Sequence, residues 1–222
     1  MSKEPRPVLN SVWAFPPNRD TLGGTAYLIV ENPQNIPQNI LIDCPSWDDR
    51  TRAFLEQNGG VRWLVLTHRQ GMSSAAASIQ ERFGCQVLVQ EQEAYLLPDV
   101  KISTFSERLA ITPSTQVFWT PGYSPGSACV YYRPEGILFS GRHLLPDASG
   151  SPQPLRTAKT FHWPRQLDRV RQILERFDDD SLRYLCPGAN TGFLRQARSI
   201  DRAYAKLQQL DLLALRHAAV WI

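Results

Sequence analysis

Short apolar runs alternate along the chain with segments whose apolar residues recur at helical spacing. Ala26–Val30 and Ile40–Ile42 are rich in residues that favour strands, and the cluster Glu31–Asn35 between them contains turn residues. Trp63–Leu66 and Val87–Val89 are uninterrupted apolar runs, a pattern typical of strands that are covered on both faces. Further strands are predicted in shorter runs around Lys101–Phe105, Val117–Trp119, Ala128–Tyr132, Ile137–Phe139 and Leu182–Cys186.

The helical segments fall between and after these runs, and they are recognised by capping residues and apolar periodicity. They are a helix that starts in the cluster Ser46–Asp49 and ends near Asn58, an Ala-rich helix Ser73–Phe83, a helix from Pro164 to about Phe177, and a long helix from about Phe193 to His217. Pro146–Pro154 is rich in Pro, Gly and Ser and predicts a long loop. Trp47, Trp63 and Trp119 are predicted to belong to the core.

This alternation of strands and helices predicts a layered α/β (α+β) domain. No interior segment is long or polar enough to mark a linker, so residues 1–222 are predicted to form a single domain. With 42% hydrophobic and 20% charged residues, the composition is that of a globular chain rather than a disordered one.

The charge is nearly balanced, with 24 basic and 21 acidic residues and a formal net charge of +3. Nucleic-acid binding needs a concentrated basic face, and this balance does not favour it. The segment Arg156–Arg165 does mix basic and aromatic residues, but a solvated loop that leads into a helix explains the same composition.

The four cysteines form no C-x-x-C pair, and each lies in or beside an apolar run, which predicts free, buried thiols in a reducing compartment. The first residues show no apolar signal segment, and no apolar run approaches the roughly 20 residues that cross a bilayer. These features predict a soluble, cytoplasmic protein without a membrane partner. The apolar segment Ala218–Ile222 is predicted to pack on the body of the protein.

Five short motifs occur in an order and spacing that are more specific than any one of them. They are Leu41-Ile42-Asp43, Leu66-Thr67-His68, Thr120-Pro121-Gly122-Tyr123-Ser124-Pro125-Gly126-Ser127, Leu138-Phe139-Ser140-Gly141-Arg142 and Cys186-Pro187-Gly188-Ala189-Asn190. Together they span about residues 23–190 and resemble the sequence landmarks of the metallo-β-lactamase superfamily, in a divergent branch with degenerate metal-binding motifs. The octapeptide that begins at Thr120 is the most specific, since the family carries Thr-Pro-Gly-His-Ser-Pro-Gly-Ser there.

The resemblance implies a four-layer αββα sandwich with the active-site loops at one edge of two packed sheets. In active members those loops hold one or two zinc, iron or manganese ions, and a bridging hydroxide attacks esters, thioesters, lactams or phosphodiesters. Carried onto this chain, the family's ligand positions are His68, Gln70, Met72, Ser73, Tyr123, Arg142 and Ala189.

Of these seven positions, only His68 holds a side chain that commonly binds a borderline transition metal. Arg142 stands where the family places an aspartate that bridges two metals. Two unit charges ~4 Å apart interact by about 4 kcal/mol at an effective dielectric of 20, so a guanidinium that faces a divalent ion opposes it by roughly 8 kcal/mol. That figure is an upper one because a long side chain can turn away. The sequence therefore predicts no metal and no cofactor.

Two candidate catalytic residues remain, Asp43 and His68, and each also has a structural interpretation. His68 is either a relic held by hydrogen bonds at a strand end or a ligand contact or general base. Asp43 is either an architectural acceptor of backbone hydrogen bonds or a catalyst. Arg142 either belongs to an anion pocket or fills the vacated metal space beside an internal carboxylate.

The resulting hypothesis is a pseudo-hydrolase whose former metal site binds an anionic small molecule or a protein partner. The predicted pocket consists of His68, Arg69, Gln70, Met72, Ser73, Tyr123, Arg142, His143, Ala189 and Asn190. The alternative is a hydrolase for thioesters, esters or phosphodiesters that recruits one zinc, iron or manganese ion through His68, Asp43 and His143. A third class, metal-dependent ribonucleases of the superfamily, usually carries an inserted second domain, which is not apparent here.

Overall fold

Two large sheets form the framework of the protein, and each lies in its own half of the chain. The computed structural model describes residues 3–32, 36–195 and 197–220, so parts of the predicted turn cluster (33–35) and of the apolar C-terminal segment (221–222) lie outside the described residues. Residue contacts divide the chain into two compact units, Met1–Phe105 and Ser106–Ile222. The predicted α/β class is confirmed, since each unit combines a large sheet with helices.

The first unit contains strands β1 to β7 and helices α1 and α2. The strands are β1 (Arg6–Leu9), β2 (Val12–Ala14), β3 (Tyr27–Ile29), β4 (Ile40–Ile42), β5 (Trp63–Leu66), β6 (Gln86–Gln90) and β7 (Ile102–Phe105), and the helices are α1 (Asp49–Gln57) and α2 (Ala75–Phe83). They form one seven-stranded sheet in sequence order. Pairing is antiparallel from β1 to β4 and parallel from β4 to β7.

The helices of the first unit begin and end where the sequence predicts. The Asp48 side chain caps α1 by accepting a hydrogen bond from the backbone nitrogen of Thr51 at 2.9 Å. Gly84 ends α2 in the left-handed region at φ 61°, a conformation that glycine adopts without a Cβ penalty. Leu55 and Ile79 bury the inner faces of the two helices in one apolar cluster with alternate residues of β4, β5 and β6.

The second unit contains strands β8 to β15 and helices α3 to α5. The strands are β8 (Arg108–Ala110), β9 (Thr115–Trp119), β10 (Ala128–Tyr132), β11 (Ile137–Gly141), β12 (Leu145–Pro146), β13 (Pro152–Gln153), β14 (Tyr184–Pro187) and β15 (Ile200–Asp201), and the helices are α3 (Trp163–Arg176), α4 (Ala203–Gln208) and α5 (Leu212–Leu215). Six strands form a sheet in the order β15-β14-β11-β10-β9-β8, and β12 pairs with β13 separately. Only β11 and β14 are parallel among the neighbours in the large sheet.

Helix α3 packs its apolar stripe on this second sheet. Leu167, Val170 and Ile173 are buried, as their helical spacing predicts. Val170 and Ile173 share a cluster with Phe118 and Leu138 of the sheet. The preceding segment reaches α3 as a loop, and the His162 ring caps the helix by accepting from the backbone nitrogen of Arg165 at 3.1 Å.

The predicted long helix from Phe193 to His217 is wrong. A 3-10 turn, the edge strand β15 and the short helices α4 and α5 occupy this segment. Two backbone positions break the helix, because Arg195 and Arg202 have φ values of 55° and 47°, in the left-handed region. Asp211 then starts α5 by accepting from the backbone nitrogens of Leu213 and Ala214.

Several smaller features also differ from the sequence prediction. Strands β1, β2 and β8 were not predicted, and the loop Pro146–Pro154 contains the two-residue pairing of β12 with β13. Trp47, Trp63 and Trp119 are half-buried rather than fully buried. All four cysteines are free and buried, as predicted. No helix in the described part of the chain is both long and apolar enough to span a membrane.

Candidate functional site

Asp43 forms a tight corner at the end of β4. Its backbone is left-handed, with φ 59°, and its side chain is 6% exposed. The carboxylate accepts a hydrogen bond from the Thr67 backbone nitrogen at 2.8 Å and from the Thr67 hydroxyl, which lies 2.7 Å from Oδ2. Since Thr67 follows β5, the Asp43 carboxylate ties the ends of two neighbouring parallel strands together.

The same hydroxyl connects Asp43 to His68. Thr67 Oγ1 lies 2.9 Å from Nδ1 of His68, and Thr67 has a single hydroxyl proton. If that proton is donated to the negatively charged carboxylate, the oxygen accepts from an Nδ1–H group of His68. The hydrogen-bond network therefore assigns the Nδ1–H tautomer to a neutral His68 and leaves the ring lone pair on Nε2.

Gly71 is required by the same corner. A Cβ at this position would lie 2.3 Å from Oδ1 of Asp43, far inside van der Waals contact. The backbone closes around the carboxylate because Gly71 donates to the His68 carbonyl at 2.8 Å and accepts from the Cys44 nitrogen at 2.9 Å. These contacts hold the backbone of Gly71 in place, and Gly71 lies between the predicted pocket residues Gln70 and Met72.

Four predicted pocket residues of the first unit line one open cleft, which we call the Arg69 cleft. Its volume is about 530 Å³, and its lining is Arg69, Gln70, Met72, Ser73, Ser74, Ala77 and Leu96–Val100. The Arg69 side chain is 36% exposed and donates from Nε to Oε1 of the fully buried Glu93 at 3.0 Å. His68 is not part of this lining, since its side chain is 2% exposed.

The Thr120–Ser127 loop of the second unit is cross-braced by its own hydroxyl and backbone groups. Thr120 donates from its backbone nitrogen to the Ser127 carbonyl at 2.7 Å, and the Ser124 nitrogen donates to Oγ of Ser127 at 2.9 Å. The indole nitrogen of Trp119 donates to the Pro125 carbonyl at 2.8 Å. The loop therefore has a fixed shape before any ligand is considered.

Tyr123 lies in this loop, and the loop closes against the start of α3. Tyr123 is 3% exposed, and its backbone carbonyl accepts a hydrogen bond from the Phe161 nitrogen at 3.0 Å. Gly122 before it has φ 146°, and a Cβ there would lie 2.4 Å from Cα of Gln166. Only glycine permits this approach of the loop to the helix.

Arg142 and Ala189 lie at one corner, where β11 and β14 end side by side. The Gly188 nitrogen donates to the Gly141 carbonyl at 2.6 Å, and a Cβ at Gly188 would lie 2.8 Å from the Gly141 backbone. Ala189 is buried and Arg142 is half-buried. Asn190 follows with φ 57° and begins a 3-10 turn, so its backbone turns the chain away from the strand.

His143 is a buried, neutral residue in the same corner. Its carbonyl accepts from Nε2 of Gln166 at 2.8 Å. Within the described part of the chain, neither ring nitrogen has a hydrogen-bond partner. Burial, with a smaller contribution from the charge of Arg169, lowers the pKa of His143 to about 3.

Gln166 was missed by the sequence analysis, although it links two parts of the predicted site. It is fully buried, it contacts Gly122, and it holds the carbonyl of His143. Its signal was a polar residue inside the apolar stripe of α3, where the sequence predicts only core side chains. In the second unit, Gln166 thus bonds to the His143 carbonyl and contacts Gly122, the neighbour of Tyr123. In the first unit, Arg69, Gln70, Met72 and Ser73 line one cleft.

Comparison with solved structures identifies the architecture. The chain superposes on the B3 metallo-β-lactamase BLEG-1 with a TM-score of 0.65 and 20% identity, covering 87% of this chain and 95% of that one. An archaeal metallo-β-lactamase superfamily protein from Sulfolobus tokodaii gives a TM-score of 0.64 at 12% identity, over 96% and 90% of the two chains. The chain has the metallo-β-lactamase fold. No family model matches the sequence, and no curated protein matches it either.

Another protein of similar structure, TTHA1623 in a di-iron-bound form, shows that a related framework can hold metal. It has a TM-score of 0.64 and 18% identity, and the match covers 82% of this chain and 92% of that one. The residues present here do not fit such a centre. Among the described residues, no group of three or more His, Cys, Asp or Glu side chains is placed to hold a metal ion.

The chemistry of the individual side chains also does not fit a metal centre in this metallo-β-lactamase fold. Arg142 is a permanent cation and Ala189 has no donor atom. The Asp43 carboxylate already accepts the hydrogen bonds of Thr67, and His143 is enclosed in the second unit. These side chains therefore do not supply the donor set of a hydrolytic metal centre.

Proposed function

We propose that this protein binds an anionic small molecule in the Arg69 cleft, which the former ligand positions Gln70, Met72 and Ser73 help to line, and that it does not perform metal-dependent hydrolysis. One observation carries the proposal: four residues at or beside former ligand positions line the open Arg69 cleft. A cleft of about 530 Å³ is within the range of small-molecule sites, and its lining combines six apolar residues with five polar or charged ones.

The guanidinium of Arg69 is the group that would receive the anion. Its Nε edge is fixed by Glu93, while the side chain remains accessible at the mouth of the cleft. A planar guanidinium that is held on one edge presents its remaining N–H groups in a fixed orientation, which suits a carboxylate or a phosphate. Leu96, Leu97 and Val100 supply an apolar wall, so an anion with a short apolar body fits the lining.

One other charge of the cleft modifies this picture, since Asp99 also lines it and opposes a bound anion. In the second unit, Arg142 places a cation at a family ligand position, in the corner between Gly141 and Gly188. The sign of the charge at position 142 is the reverse of what a metal centre requires.

Calorimetric titration with hexanoate, hexyl phosphate and neutral hexanol tests the proposal. The two anions are expected to bind and hexanol is not. The double variant Arg69→Gln/Glu93→Gln, which removes both members of the ion pair and so leaves no buried charge unpaired, should weaken anion binding at least about tenfold. Asp99→Asn should strengthen it, because a repelling charge is removed.

Arg62→Gln serves as the control, since Arg62 is an exposed cation of the same unit outside the cleft. Equal binding of hexanol and hexanoate would contradict the proposal, and so would equal losses in the control and the double variant. Chelator-sensitive hydrolysis of thioesters, esters or phosphodiesters that is abolished by His68→Ala would establish the single-metal hydrolase instead.

A further inference from the structure

A second cationic site lies in the other unit of the protein, between α3 and the edge of the six-stranded sheet. It is a cleft of about 280 Å³ whose lining includes Arg108, Arg169, Arg176 and Glu107. We call it the arginine cleft. None of the residues predicted for the former metal site lines it.

Helix α3 separates its charges onto two faces. Arg165, Arg169, Gln172 and Arg176 are spaced by four, three and four residues, so they follow one line along the helix. The acidic residues of α3 lie on another line, where Asp168 and Glu175 flank Arg171 at 3.9 and 3.8 Å. The cleft face of the helix therefore carries cations without acids.

The arginines of the cleft are held in place by aromatic rings and amides. The Cζ atom of Arg169 lies 5.3 Å from the centroid of the Trp119 ring, and its Nη1 donates to Oε1 of Gln172 at 2.6 Å. Arg176 lies 4.4 Å from the Phe118 ring centroid and donates to Oε1 of Gln116 at 2.8 Å. Such cation–π contacts restrict the side chains, so less rotamer freedom is lost when a ligand binds.

Three arginines and one carboxylate determine the charge of this cleft. The pKa of Arg176 is lowered first by burial and then by the neighbouring charge of Arg108. Among the residues that the structure describes, no carboxylate forms an ion pair with Arg108, Arg169 or Arg176. Glu107 lines the cleft and offsets one of the three positive charges, which leaves two.

We infer that the arginine cleft binds a phosphate monoester of small size. A monoester carries about −1.5 to −2 charges at neutral pH, which matches the excess of two positive charges, whereas a carboxylate carries one. Guanidinium groups bind phosphate oxygens through paired N–H donors. The small volume suits a phosphate group on a compact body rather than a macromolecule.

Calorimetry with phenyl phosphate, and with benzoate as a singly charged probe carrying the same ring, tests the inference. Phenyl phosphate should bind at least about tenfold more tightly than benzoate, and its affinity should rise between pH 5.5 and 7.5 as the second phosphate proton, with a pKa of about 6, is lost. Arg169→Gln and Arg176→Gln should each weaken binding about tenfold or more.

Arg171→Gln is the matched control, because it removes the same charge from the same helix on the opposite face. It should change the affinity less than about twofold, since Arg171 is exposed to solvent and is paired with Asp168 and Glu175, so its charge is largely screened from the cleft. Glu107→Gln should strengthen binding, which keeps the inference testable even if an arginine variant folds poorly. Arg69→Gln/Glu93→Gln should leave the part of phenyl phosphate binding that depends on Arg169 unchanged, so failure at this site is separable from failure of the proposed function.

Three results would overturn the inference. They are the absence of phenyl phosphate binding, equal affinities for phenyl phosphate and benzoate, and an equal loss in the Arg171 and Arg169 variants. Tighter binding of a single-stranded oligonucleotide than of phenyl phosphate, with the same dependence on Arg169, would replace the small ligand by a nucleic acid.

Discussion

Individual residues of the site show how a close backbone approach and a buried polar group shape this fold. A Cβ at position 71 would clash with the Asp43 carboxylate, and a Cβ at position 122 would clash with Gln166, so both positions require glycine. The Asp43 carboxylate accepts a hydrogen bond from the Thr67 hydroxyl, and this hydroxyl in turn contacts the ring of His68 and holds it in place. The sequence indicated Asp43 and His68 through the family motifs that contain them, whereas the tautomer of His68 depends on a hydroxyl proton that only the geometry assigns.

His143 provides a prediction at the same scale. The pKa of His143 is about 3 in the folded protein because burial disfavours the charged ring, whereas an unfolded histidine titrates near 6.5. Below about pH 6.5 the unfolded chain therefore gains a proton that the folded one does not, and stability falls by up to about 1.4 kcal/mol per pH unit from this residue as the pH decreases toward 3. Above that range the residue adds no pH dependence.

Urea unfolding of His143→Leu between pH 4.5 and 7.5 measures this contribution. The variant should lose most of the acid-dependent slope and should unfold near the wild-type free energy at pH 7, since both ring nitrogens lack partners among the described residues. His217→Gln, a change at an exposed histidine, is the control and should retain the slope. A slope that survives in His143→Leu would show that another group is responsible.

At the scale of elements, the sequence pattern predicted the bounds of a strand or helix where the strand is buried on both faces or the helix has a clear cap. Trp63–Leu66 and Ala128–Tyr132 occur as strands with the predicted bounds. The N-cap of α1, Asp48, lies within the predicted cluster Ser46–Asp49, and α2 ends at Phe83 as predicted. Strand β8 was missed because it has only three residues, and all of them are exposed, so no alternation of buried and exposed positions marks it. The C-terminal segment was misassigned because its composition favours a helix while its backbone reverses at arginines, which carry no turn signal.

Arg202 supplies the test of that correction. A residue with a Cβ at φ 47° is strained, so Arg202→Gly should raise the free energy of unfolding by up to about 1 kcal/mol. Arg216→Gly is the control, because Arg216 has ordinary right-handed angles and glycine there only adds freedom to the unfolded chain. Chemical denaturation should therefore show opposite signs for the two variants, and equal losses would contradict the left-handed assignment.

For the whole molecule, five short motifs were enough to predict the fold, because their order reflects the sequence of strand ends and loops in it. The neighbours found by structure have that fold at 20% identity or less. For the candidate site, the sequence predicted which positions belong to it but not which contacts their side chains make. Gln166, the cross-bracing of the Thr120–Ser127 loop and the arginine cleft depend on contacts between residues far apart in sequence, and the periodicity of α3 alone does not show what its polar face meets.

We predict that the side chains at the former ligand positions do not hold a divalent ion. Metal analysis by plasma mass spectrometry tests it most directly, on protein expressed with added zinc, iron and manganese and then dialysed without chelator. We expect far less than one ion per chain, and no difference between the wild type and His68→Ala, because one histidine without further donors does not form a site. Near-stoichiometric zinc, iron or manganese that is lost in His68→Ala would contradict the account.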